Sequence, residues 1–278
     1  MKRTVALLFV AALAACHKEP IKPAPEGAAR VVSLSPSTTE AIAAIGAKDA
    51  LVGRSRYCDF PPEVKALPEV GGYVDPNLEA ILALRPALVV GARGPSGTRV
   101  TDDLGARGVA TYFPATESFA EIDAMIAGLG GRLGREKEAT ALVSSMHARE
   151  DAIEARYAGR PKPRVLLVFG VSPVVAAGPK TFADEMLSRA HATNAVADGT
   201  GYPTMGMEKV LALDPDFVVD AAWGEHGKEA LRPDAPGWGK LRAVQGGKVA
   251  HLDDESVLRP GPRVVEGVDA LARAIHGF

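Results

Sequence analysis

Two tyrosines and two glutamates occupy matched places in this chain, and their spacing suits a clamp rather than a reaction. Residues 72–90 read GYVDPNLEAILALRPALVV, and residues 201–219 read GYPTMGMEKVLALDPDFVV. At an offset of 129 the stretches agree at nine of nineteen positions, including Gly72/Gly201, Tyr73/Tyr202, Glu79/Glu208 and Pro86/Pro215. A phenol ring offers a broad apolar face with a polar tip. A carboxylate near a helix start is favoured by the helix dipole. A separation this large exceeds the roughly 20–50 residue period of a solenoid. Two equivalent lobes with a cleft between them are expected, which is the geometry of a clamp.

The other reactive residue types fall into no catalytic arrangement. There is no Gly-x-Ser-x-Gly elbow, Walker loop or His-Glu-x-x-His, and no Ser, His and Asp in a triad order. An enzyme is therefore not expected. The glycine cluster GLGGRLG (128–134) follows a helical pattern rather than a strand, so it fails the context of a dinucleotide loop. Asp102-Asp103 and Asp253-Asp254 read as turns or caps. The histidines are His17, His147, His191, His226, His251 and His276. None falls in the first lobe, so a bare zinc or manganese site built from both lobes is not expected, and each histidine reads as a surface or capping residue.

The elements that must hold these groups alternate strand and helix, the pattern of a parallel sheet covered on both faces. The first lobe, residues 30–115, opens at Arg30 with RVVSLSP. A helix follows over 38–47, with Ser37 or Thr38 as its N-cap and Gly46 as its stop. Next come a strand near 50–53, the loop SRYCDFPPE, the first repeat copy, a helix over 98–107 and a strand ending near Phe113. Residues 116–160 read as connecting helices. Within them Ala139, Leu142, Val143, Met146, Ile153 and Tyr157 form one apolar stripe. The 24 residues Arg135–Ala158 lack Gly and Pro and would span roughly 36 Å as one helix. The second lobe, residues 161–278, reopens at Arg164 with RVLLVFG. It carries a helix in TFADEMLSRA, the second repeat copy, a strand over 248–252 and a closing helix Val264–His276. The expected fold is α/β: two similar lobes with parallel-type sheets flanked by helices, joined by one long rigid connecting helix. Such a stiff connector implies only a small hinge motion.

The N-terminus places the molecule. Met1-Lys2-Arg3 is basic, and Thr4–Ala12 is an apolar core too short to span a ~30 Å bilayer. Leu13-Ala14-Ala15-Cys16 resembles the lipobox of bacterial lipoproteins. Residues 1–15 are thus read as a signal peptide. Cys16 is read as the acylated residue, and 16–29, rich in proline and polar groups, as a tether. The mature protein is expected outside the cytoplasmic membrane, held there by lipid at Cys16. With Cys16 lipidated, Cys58 stands alone and no intrachain disulfide forms. At 47% hydrophobic and net charge -2, the chain has core enough for two lobes and no basic footprint for nucleic acid.

The motifs LSPSTTE (34–40), YCDFPP (57–62), GYVDPNLEAILALRP, FGVSP (169–173), YPTMGMEKVLALDP and RPGPR (259–263) run in one order through the body. In that order the chain resembles periplasmic binding proteins of the helical-backbone class, which feed cobalamin, haem or ferric siderophores to ABC importers. The likeness spans about residues 28–276 and is strongest to the cobalamin receptors. It implies a monomeric body with no intrinsic cofactor, binding a small metal chelate, most of all a corrinoid. It also implies that Pro36, Tyr57 and Tyr73 line the first lobe's face of the cleft. Phe169, Tyr202, Glu255 and Arg259 would line the second. Glu79 and Glu208 would dock onto the permease dimer. Ala92, where the cobalamin receptors carry a bulky aromatic, and Ser256-Val257, where aromatics are expected, depart from the pattern.

Overall fold

The computed structural model describes residues 29–72, 74–93, 97–221, 231–232, 234–252 and 259–277. Cys16, Tyr73, Glu255, His17 and His226, with the expected leader and most of the tether, lie outside the described residues.

Aliphatic runs without alternation build the first sheet, as parallel strands buried on both faces require. Strand β1 (Val31–Ser33) lies between β2 (Leu51–Arg54) and β3 (Leu88–Val90), with β4 (Ala110–Tyr112) beyond β3. Every pairing in this sheet is parallel. The second sheet holds β5 (Arg164–Val171), β6 (Val174–Ala176), β7 (Thr193–Asn194), β8 (Thr204–Met205), β9 (Phe217–Asp220) and β10 (Val249–His251). Its order is β10-β9-β5-β6-β8, with β7 beside the start of β5. Here the sheet departs from the all-parallel expectation. Only Ser172 and Pro173 separate β5 from β6, too few residues for a crossover, so β6 returns antiparallel and β8 pairs antiparallel to it.

The helices among the described residues are α1 (Pro36–Ala44), α2 (Leu78–Ala83), α3 (Gly97–Gly105), α4 (Phe119–Leu133), α5 (Glu136–Tyr157), α6 (Phe182–Arg189), α7 (Met207–Leu213), α8 (Arg242–Gln245) and α9 (Val264–His276). Helix α1 starts two residues earlier than expected. Ser35, not Ser37 or Thr38, is its N-cap, because Pro36 fits the first helical position, where no N–H is needed. Gly46, at φ 73°, ends the turn as expected.

The repeat is matched down to its backbone. Helices α2 and α7 each lead into the matching strand through a residue of positive φ just before a proline, Arg85 at 47° and Asp214 at 41°. These are αL helix ends followed by proline. The arginines that open the two sheets close the same ends. Arg30 Nη2 donates to Leu84 O at 2.7 Å, and Arg164 Nη2 donates to Leu213 O at 2.9 Å. A cation there also complements the negative end of the helix dipole. Val31 then pairs with Leu88 as Val165 pairs with Phe217, so both lobes share one register.

The long helix expected over 135–158 is α5, with 22 residues. It follows a second helix, α4, after a left-handed turn at Gly134. Helix α4 packs against α1 of the first lobe and against α5; α5 packs against α9 and α6 of the second. The glycine cluster lies within the last turns of α4 rather than after a helix. A Cβ on Gly130 would fall 2.6 Å from Ala139 Cβ, and Gly128 leaves no room for one beside Tyr112. These glycines serve close packing. The predicted α5 stripe is present, with Ala139, Met146, Ile153 and Tyr157 buried. Glu150 shares that face and is ion-paired with Arg189 of α6.

A candidate ligand site at the carboxyl ends of the strands

In open α/β sheets ligands bind beyond the carboxyl ends of the parallel strands. On the first sheet β1 runs into Leu34-Ser35 and then Pro36, which sits half-buried at the first position of α1. A hydroxyl network fixes this turn. Ser33 Oγ lies 2.8 Å from Thr38 Oγ1, Thr39 Oγ1 donates to Ser33 Oγ at 2.8 Å, and Ala92 N donates to Ser35 Oγ at 3.0 Å. Ala92 is therefore a buried anchor of the turn. After β2 comes Tyr57, 51% exposed, with its ring beside Gly72, where a Cβ would fall 3.2 Å from Cε2. Arg56, ion-paired to Asp75 at 2.9 Å, stands 5.9 Å from that ring's centroid. The next residue, Cys58, is fully buried, and burial pushes its thiol pKa up. It is a core residue rather than a ligand.

On the second sheet Phe169 lies half-buried near the end of β5. Tyr202 meets it edge-on at 5.6 Å between centroids and tilts toward Phe182 at 6.4 Å. Tyr202 stays 36% exposed. Its hydroxyl donates to Glu117 Oε2 at 3.4 Å. Burial, followed by the neighbouring Glu117 charge, pushes the phenol pKa well above its ordinary value. Burial likewise raises Glu117.

Arg259 is placed differently from a free ligand group. Its Nη1 donates to Asp59 Oδ1 at 2.7 Å and to Glu40 Oε1 at 3.3 Å, both on the first lobe. Arg263 completes the group: Nε and Nη2 each donate to Glu40 at 2.8 Å. Desolvation raises the Asp59 carboxyl, but the hydrogen bond and charge of Arg259 outweigh it and hold Asp59 below its usual value. Among the described residues no cluster of three or more His, Cys, Asp or Glu converges as a metal site.

Glu79 and Glu208 are exposed, each at the second position of its short helix, α2 or α7. Sequence reasoning singled out neither Glu40, Asp59, Glu117 nor Arg263. One signal was there to be read: Glu40 is a charged residue running straight into the apolar Ala41-Ile42, and RPGPR supplies two arginines to meet it. His276 also differs from expectation. It is 7% exposed, stacks on Tyr157 at 4.8 Å and donates from Nε2 to Ala190 O at 3.0 Å.

The periplasmic binding protein family model matches residues 31–256, most of the chain. The chain belongs to the periplasmic binding protein family. It is 35% identical over 256 residues to the ABC transporter substrate-binding lipoprotein YvrC of Bacillus subtilis, covering 89% of this chain and 80% of that protein. It is 30% identical over 249 residues to the vitamin B12-binding protein of Salmonella typhimurium, covering 89% and 90% of the two chains. Among solved structures, the periplasmic heme-binding protein RhuT from Roseiflexus superposes with a TM-score of 0.81 at 27% identity, over 90% of this chain and 99% of that one. The vitamin B12-binding protein BtuF of Vibrio cholerae gives 0.77 at 26%, over 89% and 96%. This family member is thus an ABC-transporter substrate-binding protein of the cobalamin, haem and siderophore class. Its relatives are extracytoplasmic binding proteins, not enzymes. No helix among the described residues is long and apolar enough to cross a membrane.

Proposed function

We propose that this protein captures a corrinoid of the cobalamin type, one per molecule, in a cleft between its lobes and hands it to an ABC importer. The lobes are residues 30–115 and 161–278, with 116–160 between them. The observation that carries the reading is the exposed aromatic on each lobe, Tyr57 and Tyr202, the second backed edge-on by Phe169. Flat rings of this kind suit the faces of a macrocycle, with Pro36, Tyr73 and Glu255 completing the walls. The commitment of Arg259 to Asp59 and Glu40 favours a ligand fringed by neutral amides over one bearing carboxylates. The likeness to the Salmonella vitamin B12-binding protein supports the same choice.

Glu79 and Glu208 dock on the permease dimer in this reading. Cys16 carries the lipid, and the leader 1–15 is removed. Haem or a ferric siderophore is the second reading, favoured by the RhuT superposition and by the phenols, which can ligate haem iron. Calorimetry on the Cys16→Ser protein with cyanocobalamin, cobinamide, haemin and a ferric hydroxamate decides between them. Corrinoid binding at one site is expected. Haemin or hydroxamate binding without corrinoid affinity overturns the ligand and leaves the family intact.

A further inference from the structure

The side chain of Glu40 is only 2% exposed, on a helix of the first lobe, and its nearest cations come from the far end of the chain. A carboxylate so buried is tolerated only when its oxygens are well bonded. Arg263 forks onto both oxygens at 2.8 Å, and Arg259 adds a contact at 3.3 Å while reaching Asp59 at 2.7 Å. The same junction is close-packed. Arg263 lies 4.1 Å over the Phe60 ring, and a Cβ on Gly261 would fall 3.2 Å from Ser37 Cα. Removing one partner of a buried pair strands the other, so separating the lobes here is strongly opposed.

We propose that Glu40 and Asp59, held by Arg259 and Arg263, form an electrostatic pin between the lobes that sets the width of the ligand cleft. Arg259 is then a positioning residue whose charge serves the protein rather than the ligand. The pin is a second tie between the lobes, separate from the α4–α5 connection, and together they keep the hinge motion small. The inference rests on the cleft reading only for its consequence on binding.

The test places spin labels at Ala83→Cys and Ala212→Cys, equivalent exposed positions of the repeat, in a Cys16→Ser background whose Cys58 is buried. Interlobe distances are read by pulsed electron spin resonance without ligand. The parent gives one narrow distance. Glu40→Gln broadens it or adds a longer one, Arg263→Lys has an intermediate effect, and cyanocobalamin dissociates about tenfold faster from Glu40→Gln. Should Glu40→Gln lose its helical circular dichroism, Asp59→Asn, at the half-exposed arm of the pin, gives the same reading. An unchanged narrow distance in the folded variants overturns the pin. Absence of corrinoid binding with a broadened distance overturns the ligand assignment alone.

Discussion

At the scale of single residues, the site depends on which groups keep a free face and which are spent on the protein. Tyr202 keeps one: its edge rests on Phe169 and its hydroxyl reaches Glu117, yet 36% of it remains exposed. Tyr202→Ala is expected to weaken corrinoid binding by about tenfold or more, since an aromatic contact of this kind is worth about 1.5 kcal/mol. Tyr202→Phe keeps the ring and loses the hydroxyl's contacts with Glu117 and Thr181, both groups of the protein, so affinity should stay within about twofold by the same calorimetry. A tenfold loss in the phenylalanine variant would make the hydroxyl, not the ring, the recognition group. His276 is spent on the protein. Burial is the main cause that lowers its pKa, so the folded state prefers the neutral ring while the unfolded chain titrates near the ordinary 6.5. Its contribution is complete above that pH and is lost as pH falls through the depressed folded value. Urea unfolding of wild type and His276→Gln at pH 7 and pH 5 should show the wild-type advantage shrinking at the lower pH. An advantage that is constant across both pH values would rule out this titration.

At the scale of elements, the repeat places matched glutamates on equivalent helices. Helices α2 and α7 end in the same αL turn, are closed by the same kind of arginine and present a glutamate at the same second position. An N-terminal glutamate stabilises its helix by about 0.3–1 kcal/mol, too little to explain the fold. The double variant Glu79→Arg/Glu208→Arg should bind ligand normally in solution and fail to support uptake in cells. In the docking reading proposed above, each reversed charge repels a basic surface on the permease. Normal uptake by this variant would reduce the glutamates to two similar helix starts. The glycines of α4 belong to this scale as well. Gly130 lets α5 approach to within a methyl group, so the connection between lobes is a packed helix pair rather than a lone rod.

At the scale of the whole molecule, two sheets of related register are tied through α4 and α5 and again through the arginines ahead of α9. In the reading proposed above Cys16 carries the lipid at the end of a tether, so Cys16→Ser should shift the protein from the membrane fraction to the soluble fraction without changing its calorimetric affinity. A wild type that already fractionates as soluble protein would remove the lipid anchor from this account.

Much of this molecule is written in local pattern. The repeat, the aliphatic runs of β1, β3, β5 and β9, and the apolar stripe of α5 follow from near-neighbour periodicity, which a linear reading captures. The matched positions of Glu79 and Glu208 were legible for the same reason, because duplication marks them. What the sequence could not decide lies between residues more than two hundred positions apart. Glu40 has no cation near it in the linear chain, and it meets Arg259 and Arg263 only when folding brings α1 against the loop before α9. Burial then makes the pairing necessary, since a carboxylate sealed from water must find cations wherever the chain returns them. The close packing at Gly128 and Gly130 was likewise a tertiary decision, set by how closely Tyr112 and α5 come to bare glycine backbone. The antiparallel return of β6 was local instead, since only two residues join it to β5, too few for a crossover.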